Sequence, residues 1–211
     1  MKKLIALSLM CLLLSACFGG GAEIPQNNFY RLADIAAAGP KFDVPLFSVM
    51  AVSSLRSDAL HKERAILYSD RAMPLRLLRY HYHHWTQVPN QLIQQNLIDY
   101  LRATGIAKRV IRYGDETNID ANITGYIRKF ERILDKGKVS VNVELELQLE
   151  TFAAPRRHIQ FVASERQIAQ DDSMHATVRA FGEALQKIFQ QFVAKIPGDS
   201  APAIKDPDIK D

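Results

Sequence analysis

The sequence predicts an α+β fold: a largely antiparallel sheet with two long helices packed on one face, as a two-layer sandwich. Residues 139–149 alternate strictly between apolar and polar side chains, which is the pattern of a strand with one buried and one solvated face. Such alternation favours antiparallel pairing. Residues 88–105 and 173–196 each place apolar side chains at helical spacing. The resulting order of strands, helix, strands and helix is typical of α+β domains.

Three strands are predicted before the first helix. Residues 44–52 are rich in β-branched and aromatic side chains, and residues 65–69 form a second short apolar run. Residues 75–85 predict a third, longer strand. Ordered structure is expected to begin shortly before these strands, at residues 27–32.

The first helix is predicted to open at Pro89, because the missing proline N–H has no partner in a first helical turn anyway. Its apolar side chains recur every three or four residues. They are Ile93, Leu97, Tyr100 and Leu101. Gly105 suits the end of the helix.

The second half of the chain predicts strands at residues 109–113, 122–134 and 158–168, the last as the partner of residues 139–149. Residues 135–138 (DKGK) supply the turn that joins two of them, and the glycine permits a positive φ.

The last helix is predicted to span Ser173–Ile196, about 35 Å at 1.5 Å per residue. Asp171, Asp172 and Ser173 can cap its start, and Pro197 is expected to stop it. One apolar stripe runs along it. The stripe consists of Val178, Phe181, Leu185, Ile188 and Phe192.

The front of the chain predicts a signal peptide at residues 1–16. Lys2 and Lys3 precede an apolar stretch and two small residues, the order found in secretory signals. The stretch is shorter than the roughly 20 apolar residues that a bilayer crossing needs. Residues 14–17 (LSAC) resemble the bacterial lipobox, which implies cleavage before Cys17, a diacylglycerol thioether on its sulfur and acylation of the freed amine. An ordinary signal peptide that contains a cysteine is the alternative.

Three further regions follow from this. Residues 17–28 predict a lipidated cysteine and flexible tether, residues 29–196 a single domain, and residues 197–211 a polar, proline-rich, disordered tail. Phe18 stands where an aspartate tends to retain lipoproteins at the inner membrane. Its presence resembles cargo sorted to the outer membrane, with the domain in the periplasm.

Net charge and cysteine content argue against a nucleic-acid partner and against a fold held by disulfides. The formal charge is +4, of which Lys2 and Lys3 contribute two, so the mature chain would carry about +2. This small charge and the export signal disfavour a nucleic-acid partner. Both cysteines lie at the front, so no disulfide can form within the mature chain, and a 47% hydrophobic composition must supply the core.

The densest histidine cluster is His81, His83 and His84. On a regular strand His81 and His83 share a face and are the one candidate pair for Zn²⁺ or Cu²⁺, if a third ligand arrives from elsewhere. No carboxylate or cysteine is placed by the sequence to complete such a site. A half-exposed strand or a partner-facing surface is the alternative, and we expect no bound metal.

We expect no catalytic residue and no cofactor other than the lipid on Cys17. The sequence contains no G-x-S-x-G, no H-E-x-x-H and no P-loop. Glu144, Glu146 and Glu150 share the wet face of one strand, where carboxylates mostly provide solubility. We therefore expect no enzymatic activity.

Aromatic side chains crowd the second and third predicted strands. They are Tyr68, Tyr80, Tyr82 and Trp85. Tyrosine and tryptophan are enriched in protein interfaces, and filling of the core between sheet and helix is the alternative.

Short motifs along nearly the whole mature chain resemble one family. They are residues 29–32, residues 66–68, Tyr80, Trp85, Pro89, residues 92–93, Leu97, residues 123–125, residues 130–131 and the alternating strand 139–149. In these the chain is similar to the auxiliary lipoproteins of ABC-type transport systems, the family that includes paraquat-inducible protein C. The resemblance implies a non-enzymatic periplasmic partner of an ABC permease and ATPase. Such systems typically include an MCE-domain protein and move lipids between the two membranes.

Three functional hypotheses follow. The first is an outer-membrane lipoprotein that docks onto such a lipid-transport complex through a sheet edge or its aromatic strands. The second is an assembly or regulatory lipoprotein of another envelope machine, for lipopolysaccharide insertion or cell-wall synthase activation. The third is an envelope metalloprotein that uses His81 and His83. The sequence leaves a homo-oligomer, the transported molecule and the direction of transport open.

Overall fold

The computed structural model describes residues 25–33, 39–152 and 156–198. Among these residues nine strands form one sheet, accompanied by two long helices and a short 3₁₀ helix at Leu60–Lys62. The strands are β1 (Asn28–Tyr30), β2 (Phe47–Val52), β3 (Arg56–Ser57), β4 (Ala65–Asp70), β5 (Met73–Trp85), β6 (Ala107–Arg112), β7 (Ala121–Asp135), β8 (Lys138–Thr151) and β9 (His158–Ile168). The helices are α1 (Pro89–Thr104) and α2 (Met174–Gly198).

Part of the predicted organisation falls outside the described residues. The signal peptide at residues 1–16, the lipid-bearing Cys17, the tether as far as residue 24 and the tail from residue 199 all lie there.

The sheet is built around β7. β8 pairs antiparallel with one edge of β7 along its whole length, and β9 continues the sheet beyond β8. The other edge of β7 receives three short strands in succession, all parallel to it: β2 at residues 121–123, β3 at 126–127 and β4 at 131–134. β6 then extends the sheet from β2, and β5 and β1 extend it from β4.

The α+β class is confirmed, but the prediction of a largely antiparallel sheet is wrong. Five strand pairings in the described chain are parallel and three are antiparallel, so the sheet is mixed, and it curls. Parallel neighbours need a crossover connection between them. Helix α1 supplies one between β5 and β6, which lets β6 return parallel to β2. The alternation in residues 139–149 indicates only how β8 pairs with the strands beside it, and β8 is indeed antiparallel to both β7 and β9.

The core lies between the sheet and the two helices. α2 packs on β8 and β9, while α1 lies on β6 and β2, and the helices meet where the rings of Tyr100 and Phe189 are 5.7 Å apart. The apolar side chains of residues 139–149 are all buried in this core, as their alternation predicts.

The helix signals in the sequence are largely confirmed. α1 begins at Pro89 and ends at Gly105, whose φ of 72° and ψ of 15° are the left-handed cap conformation. The Ala176 N–H donates to the Ser173 Oγ at 3.0 Å, so Ser173 caps α2 as expected. α2 runs to Gly198, two residues beyond the end predicted from Pro197.

Strand positions differ from the predictions mainly at their ends. Residues 65–69 and 158–168 match β4 and β9, whereas the strand expected at residues 44–52 starts only at Phe47. β1 and β3 were not predicted as strands. They contain three and two residues, too few to show a periodic pattern.

Gly125 allows a close approach in the middle of the central strand. A Cβ at this position would lie 2.7 Å from the Glu146 carbonyl oxygen and 2.9 Å from Leu147 Cδ2, both on β8. Backbone cannot yield as a flexible side chain can, so β7 and β8 pair closely here because residue 125 has no side chain.

We expect Gly125→Ala to destabilise the domain by about 1–3 kcal/mol through overpacking. Gly182→Ala in α2 is the matched control, since a Cβ there meets no atom within 4 Å. The control should be neutral or stabilising by about 0.5–1 kcal/mol, because alanine favours helix interiors. Urea unfolding of both variants measures the difference, and equal stability of the two would contradict the close-approach argument.

Candidate functional site

The histidines of β5 do not form a metal centre with the described part of the chain. No group of three or more His, Cys, Asp or Glu side chains among those residues is placed to hold a metal ion. His81 is exposed, the His83 Nδ1 lies 2.9 Å from the Tyr30 hydroxyl, and the His84 Nε2 lies 3.0 Å from the His81 carbonyl oxygen.

A bulge in β5 explains why the alternation of residue numbers does not predict which histidines share a face of the sheet. Leu67 of β4 pairs with Arg79, whereas Ala65, two residues earlier, pairs with His84. β5 therefore contains three additional residues between these pairs. Such a bulge interrupts the regular alternation of side chains.

The described residues do contain one distinct surface feature, which we call the tyrosine cluster: Tyr30, Tyr68, Tyr80, His83 and Arg132. It is assembled from four strands. Tyr30 comes from β1, Tyr68 from β4, Tyr80 and His83 from β5, and Arg132 from β7. Tyr68 and Arg132 are direct partners in the parallel β4–β7 pairing.

The rings of the cluster touch in sequence. The centroids of Tyr68 and Tyr80 are 4.4 Å apart, those of Tyr80 and His83 are 5.3 Å apart edge to face, and those of His83 and Tyr30 are 5.7 Å apart. These four side chains are half-buried. They therefore form a continuous aromatic and polar surface at the β1 side of the sheet.

Arg132 is the buried member, with only 7% of its surface exposed. Its Nη1 donates to the Tyr80 hydroxyl at 2.6 Å and its Nη2 donates to the Asp172 carbonyl oxygen at 2.5 Å. Within the described residues its buried Nε has no hydrogen-bond partner and no carboxylate forms an ion pair with it. This guanidinium joins β7, β5 and the loop before α2, and it leaves a positive charge beneath the cluster.

That charge and burial set the protonation of the cluster. The pKa of His83 is lowered by burial first, then by the positive charge of Arg132 and by His84. Burial raises the pKa of Tyr80, against the opposing effect of Arg132. His83 is therefore neutral at pH 7, and its Nδ1 can accept a hydrogen bond from the Tyr30 hydroxyl. The bond fastens β1 to β5.

The four aromatic side chains that the sequence analysis singled out do not all fill the core, and they do not all lie on the surface. Trp85 is core, 1% exposed, and packs against Phe130 and Phe181. Tyr82 is exposed. Tyr68 and Tyr80 lie between these extremes, in the cluster.

Two cluster members were missed as site residues in the sequence. Tyr30 appeared only in a motif of family resemblance, and Arg132 lies in a strand segment with no distinguishing local pattern. Their roles depend on strands 50 or more residues away in the chain, so no local signal could reveal them.

The carboxylates of β8 are surface groups with partners on β7. Glu144 Oε2 lies 3.1 Å from Lys129 Nζ, and Glu146 Oε1 lies 2.6 Å from Arg128 Nη2. Cross-strand ion pairs of this kind hold adjacent strands in register and contribute little stability. The two glutamates form no paired acid–base site.

None of the helices in residues 25–33, 39–152 and 156–198 combines the length and the hydrophobicity that crossing a membrane requires. The family model described as "ABC-type transport auxiliary lipoprotein component" matches residues 48–193, more than half of the chain.

The chain belongs to this family. The resemblance seen in the sequence is thereby confirmed, and the protein is an auxiliary lipoprotein component of ABC-type transport. The matched region contains β4, β5 and β7, so it includes every residue of the tyrosine cluster except Tyr30. No curated protein matches this auxiliary lipoprotein.

Solved structures share the fold of this auxiliary lipoprotein. A crystal structure of a protein from Xanthomonas campestris is similar with a TM-score of 0.65 and 17% identity, covering 80% of this chain and 94% of that one. A crystal structure of an uncharacterized protein gives a TM-score of 0.63 and 11% identity, covering 81% and 99%. A protein from Chlamydia trachomatis is more distant, with a TM-score of 0.44, 10% identity and coverage of 72% and 96%. At these identities the first two show the fold alone.

We expect His83 to make this auxiliary lipoprotein less stable as the pH falls through about 6.5, the ordinary histidine value. The unfolded chain binds a proton there, while the lowered pKa of His83 keeps the folded state unprotonated until lower pH. The stability that His83 contributes is thus fully present above about pH 6.5, and it is lost as the pH falls from there to the lowered pKa of His83 in the folded state. The melting temperature should fall more from pH 7.5 to 5.5 in the wild type than in His83→Gln. Equal decreases in the melting temperature of the two proteins would show that His83 does not contribute to the pH dependence of stability.

Proposed function

We propose that this auxiliary lipoprotein is a non-enzymatic subunit, anchored in the outer membrane and facing the periplasm, of an ABC transport system with an MCE-domain protein that moves lipids between the two membranes. The match of residues 48–193 to the auxiliary lipoprotein family carries the proposal. The basic, apolar and small-residue start of the chain and the LSAC motif support export and lipidation at Cys17.

A docking role fits the chemistry of the described surface. The tyrosine cluster offers half-buried aromatic rings above a buried guanidinium, and tyrosine and arginine are enriched at the centres of protein interfaces. The sequence contains no P-loop, so the energy for transport would come from a separate ATPase subunit.

The covalent chain limits where the domain can work. The eleven residue-to-residue steps from Cys17 to Asn28 can span at most about 40 Å when fully extended. β1 therefore stays within that distance of a lipidated Cys17, and the domain would meet its partners close to the membrane surface.

Affinity purification of the full lipidated chain after crosslinking in cells tests the docking role. We expect recovery of the MCE-domain, permease and ATPase subunits, because an auxiliary component must contact the complex that it serves. A tagged, unrelated outer-membrane lipoprotein is the control. Recovery of lipopolysaccharide-insertion or cell-wall synthase proteins in their place would favour the second hypothesis from the sequence and overturn this one.

Mass spectrometry of the purified protein tests the anchor independently. We expect the mature chain to begin at Cys17 and to carry a diacylglycerol and an amide-linked acyl group. Cys17→Ser should block lipidation and release the chain from the outer-membrane fraction, since acyl chains contribute about 0.8 kcal/mol per buried methylene. An unmodified Cys17 in a mature chain would remove the anchor from the proposal.

A further inference from the structure

β9 forms an edge of the sheet along its whole length. It pairs with β8 from Ser140–Ile168 to Glu150–His158 without a shift in register, and no described residue pairs with its other edge. At about 3.3 Å per residue this edge is roughly 35 Å long. Its sequence contains neither proline nor glycine.

The hydrogen bonds at its two ends show which backbone groups face outward. The Thr151 N–H donates to the Arg157 carbonyl, and the Ala169 N–H donates to the Val139 carbonyl. Odd-numbered residues of β9 therefore bond to β8, and even-numbered residues turn their N–H and C=O groups away from it. Among described residues only Lys195 reaches one of these outward groups, with its Nζ 3.4 Å from the Gln160 oxygen.

The other two edges of the sheet carry devices that discourage strand addition. β6 presents the exposed cations Lys108, Arg109 and Arg112, and Arg102 donates to the Val110 carbonyl oxygen at 2.8 and 3.0 Å. β5 has two register shifts and contains Pro74, and β1 covers its end. Charges, bulges and proline are the usual protections of natural edges. β9 has neither bulge nor proline.

The apolar side chains beside this edge remain exposed. Val162 is 63% and Ile168 is 72% exposed, and both lie on the face of β9 turned away from α2. An added strand could cover them with apolar residues of its own at alternate positions.

The charge on the opposite face of the edge is positive. From α2, Lys187 Nζ reaches the Gln167 Oε1 at 2.9 Å and Lys195 reaches Gln160, while Arg166 lies on the other face of β9, with Val162 and Ile168. Glu165 is the one acidic residue of the strand, and Gln191 already donates to it at 2.7 Å. A second copy paired edge to edge would bring the two sets of lysines together, whereas an acidic segment would complement them.

We propose that the outer edge of β9 is a strand-addition site for an extended segment of a partner protein that alternates acidic and β-branched residues. The proposal rests on the proposed function in that the partner would belong to the transport complex. The added strand hydrogen-bonds to the outward groups of the even-numbered residues from His158 to Ile168. Its apolar side chains cover Val162 and Ile168, and its carboxylates pair with Lys187 and Lys195.

The test uses the full lipidated chain in detergent and a nine-residue peptide of alternating glutamate and valine. We expect the peptide to slow amide hydrogen exchange at the even-numbered residues of β9. Two control peptides should bind at least about ten-fold more weakly. One replaces the glutamates with lysines, and the other carries N-methyl groups on alternate amides and cannot pair with a strand.

Ser164→Pro removes one outward N–H and leaves the backbone hydrogen bonds to β8 intact, so it should weaken binding by about ten-fold or more. Ser164→Ala should not weaken binding, although both variants lose the hydroxyl that donates to Asn142 Oδ1. If the proline variant does not fold, Lys187→Glu with Lys195→Glu provides the second test. These exposed charges should switch the preference from the glutamate peptide to the lysine peptide.

Failure of the glutamate peptide to protect β9, or equal binding of the two charged peptides, would overturn the proposal. Self-association that Ser164→Pro abolishes would assign the edge to a second copy. Slow exchange at β9 in the free protein that becomes fast when residues 199–211 are deleted would assign it to the chain's own end. Undiminished crosslinking of transporter subunits to Ser164→Pro would overturn the β9 site and leave the proposed function standing.

Discussion

Pairing along both edges of β7 is the constraint on which the rest of the structure depends. β8 occupies one edge, and β2, β3 and β4 occupy successive parts of the other. The absence of a side chain at Gly125 lets β8 approach closely at the middle of this strand. Since residues 25–33, 39–152 and 156–198 contain no cysteine, this ladder and the core that it carries hold the described domain together without a disulfide.

The same arrangement places the functional surfaces. β4 pairs with the same edge of β7 as β2 and β3, and β5 and β1 continue the sheet from β4. Side chains from β1, β4 and β5 form the tyrosine cluster over Arg132 of β7. On the other side the sheet ends at β9, supported by α2. The docking subunit that we propose would thereby have two different surfaces. One is aromatic and includes β1, and the other is a strand edge that no described residue pairs with, flanked by lysines.

Arg132 shows how a buried charge can serve organisation rather than chemistry. Its guanidinium bonds to Tyr80 and to the carbonyl of Asp172, which links the sheet to the loop that starts α2. A buried cation that no described carboxylate neutralises is costly to stability, but its fixed donors hold three elements in one arrangement. Burial, assisted by this charge, lowers the pKa of His83, and the neutral imidazole can accept a hydrogen bond from Tyr30 of β1.

The sequence by itself determined the features that depend on local patterns. The alternation in residues 139–149 fixed which face of β8 is buried, Pro89 and Gly105 bounded α1, and short motifs were enough to indicate the family. Only the tertiary structure decided four other features. They are the parallel pairings, the bulge at the β5 histidines, the partners of Arg132 and the edge of β9 that no described residue pairs with. The physical reason is that each of these depends on which segments lie beside one another, and hydrophobic periodicity reports which face of a segment is buried but not which strand lies beside it.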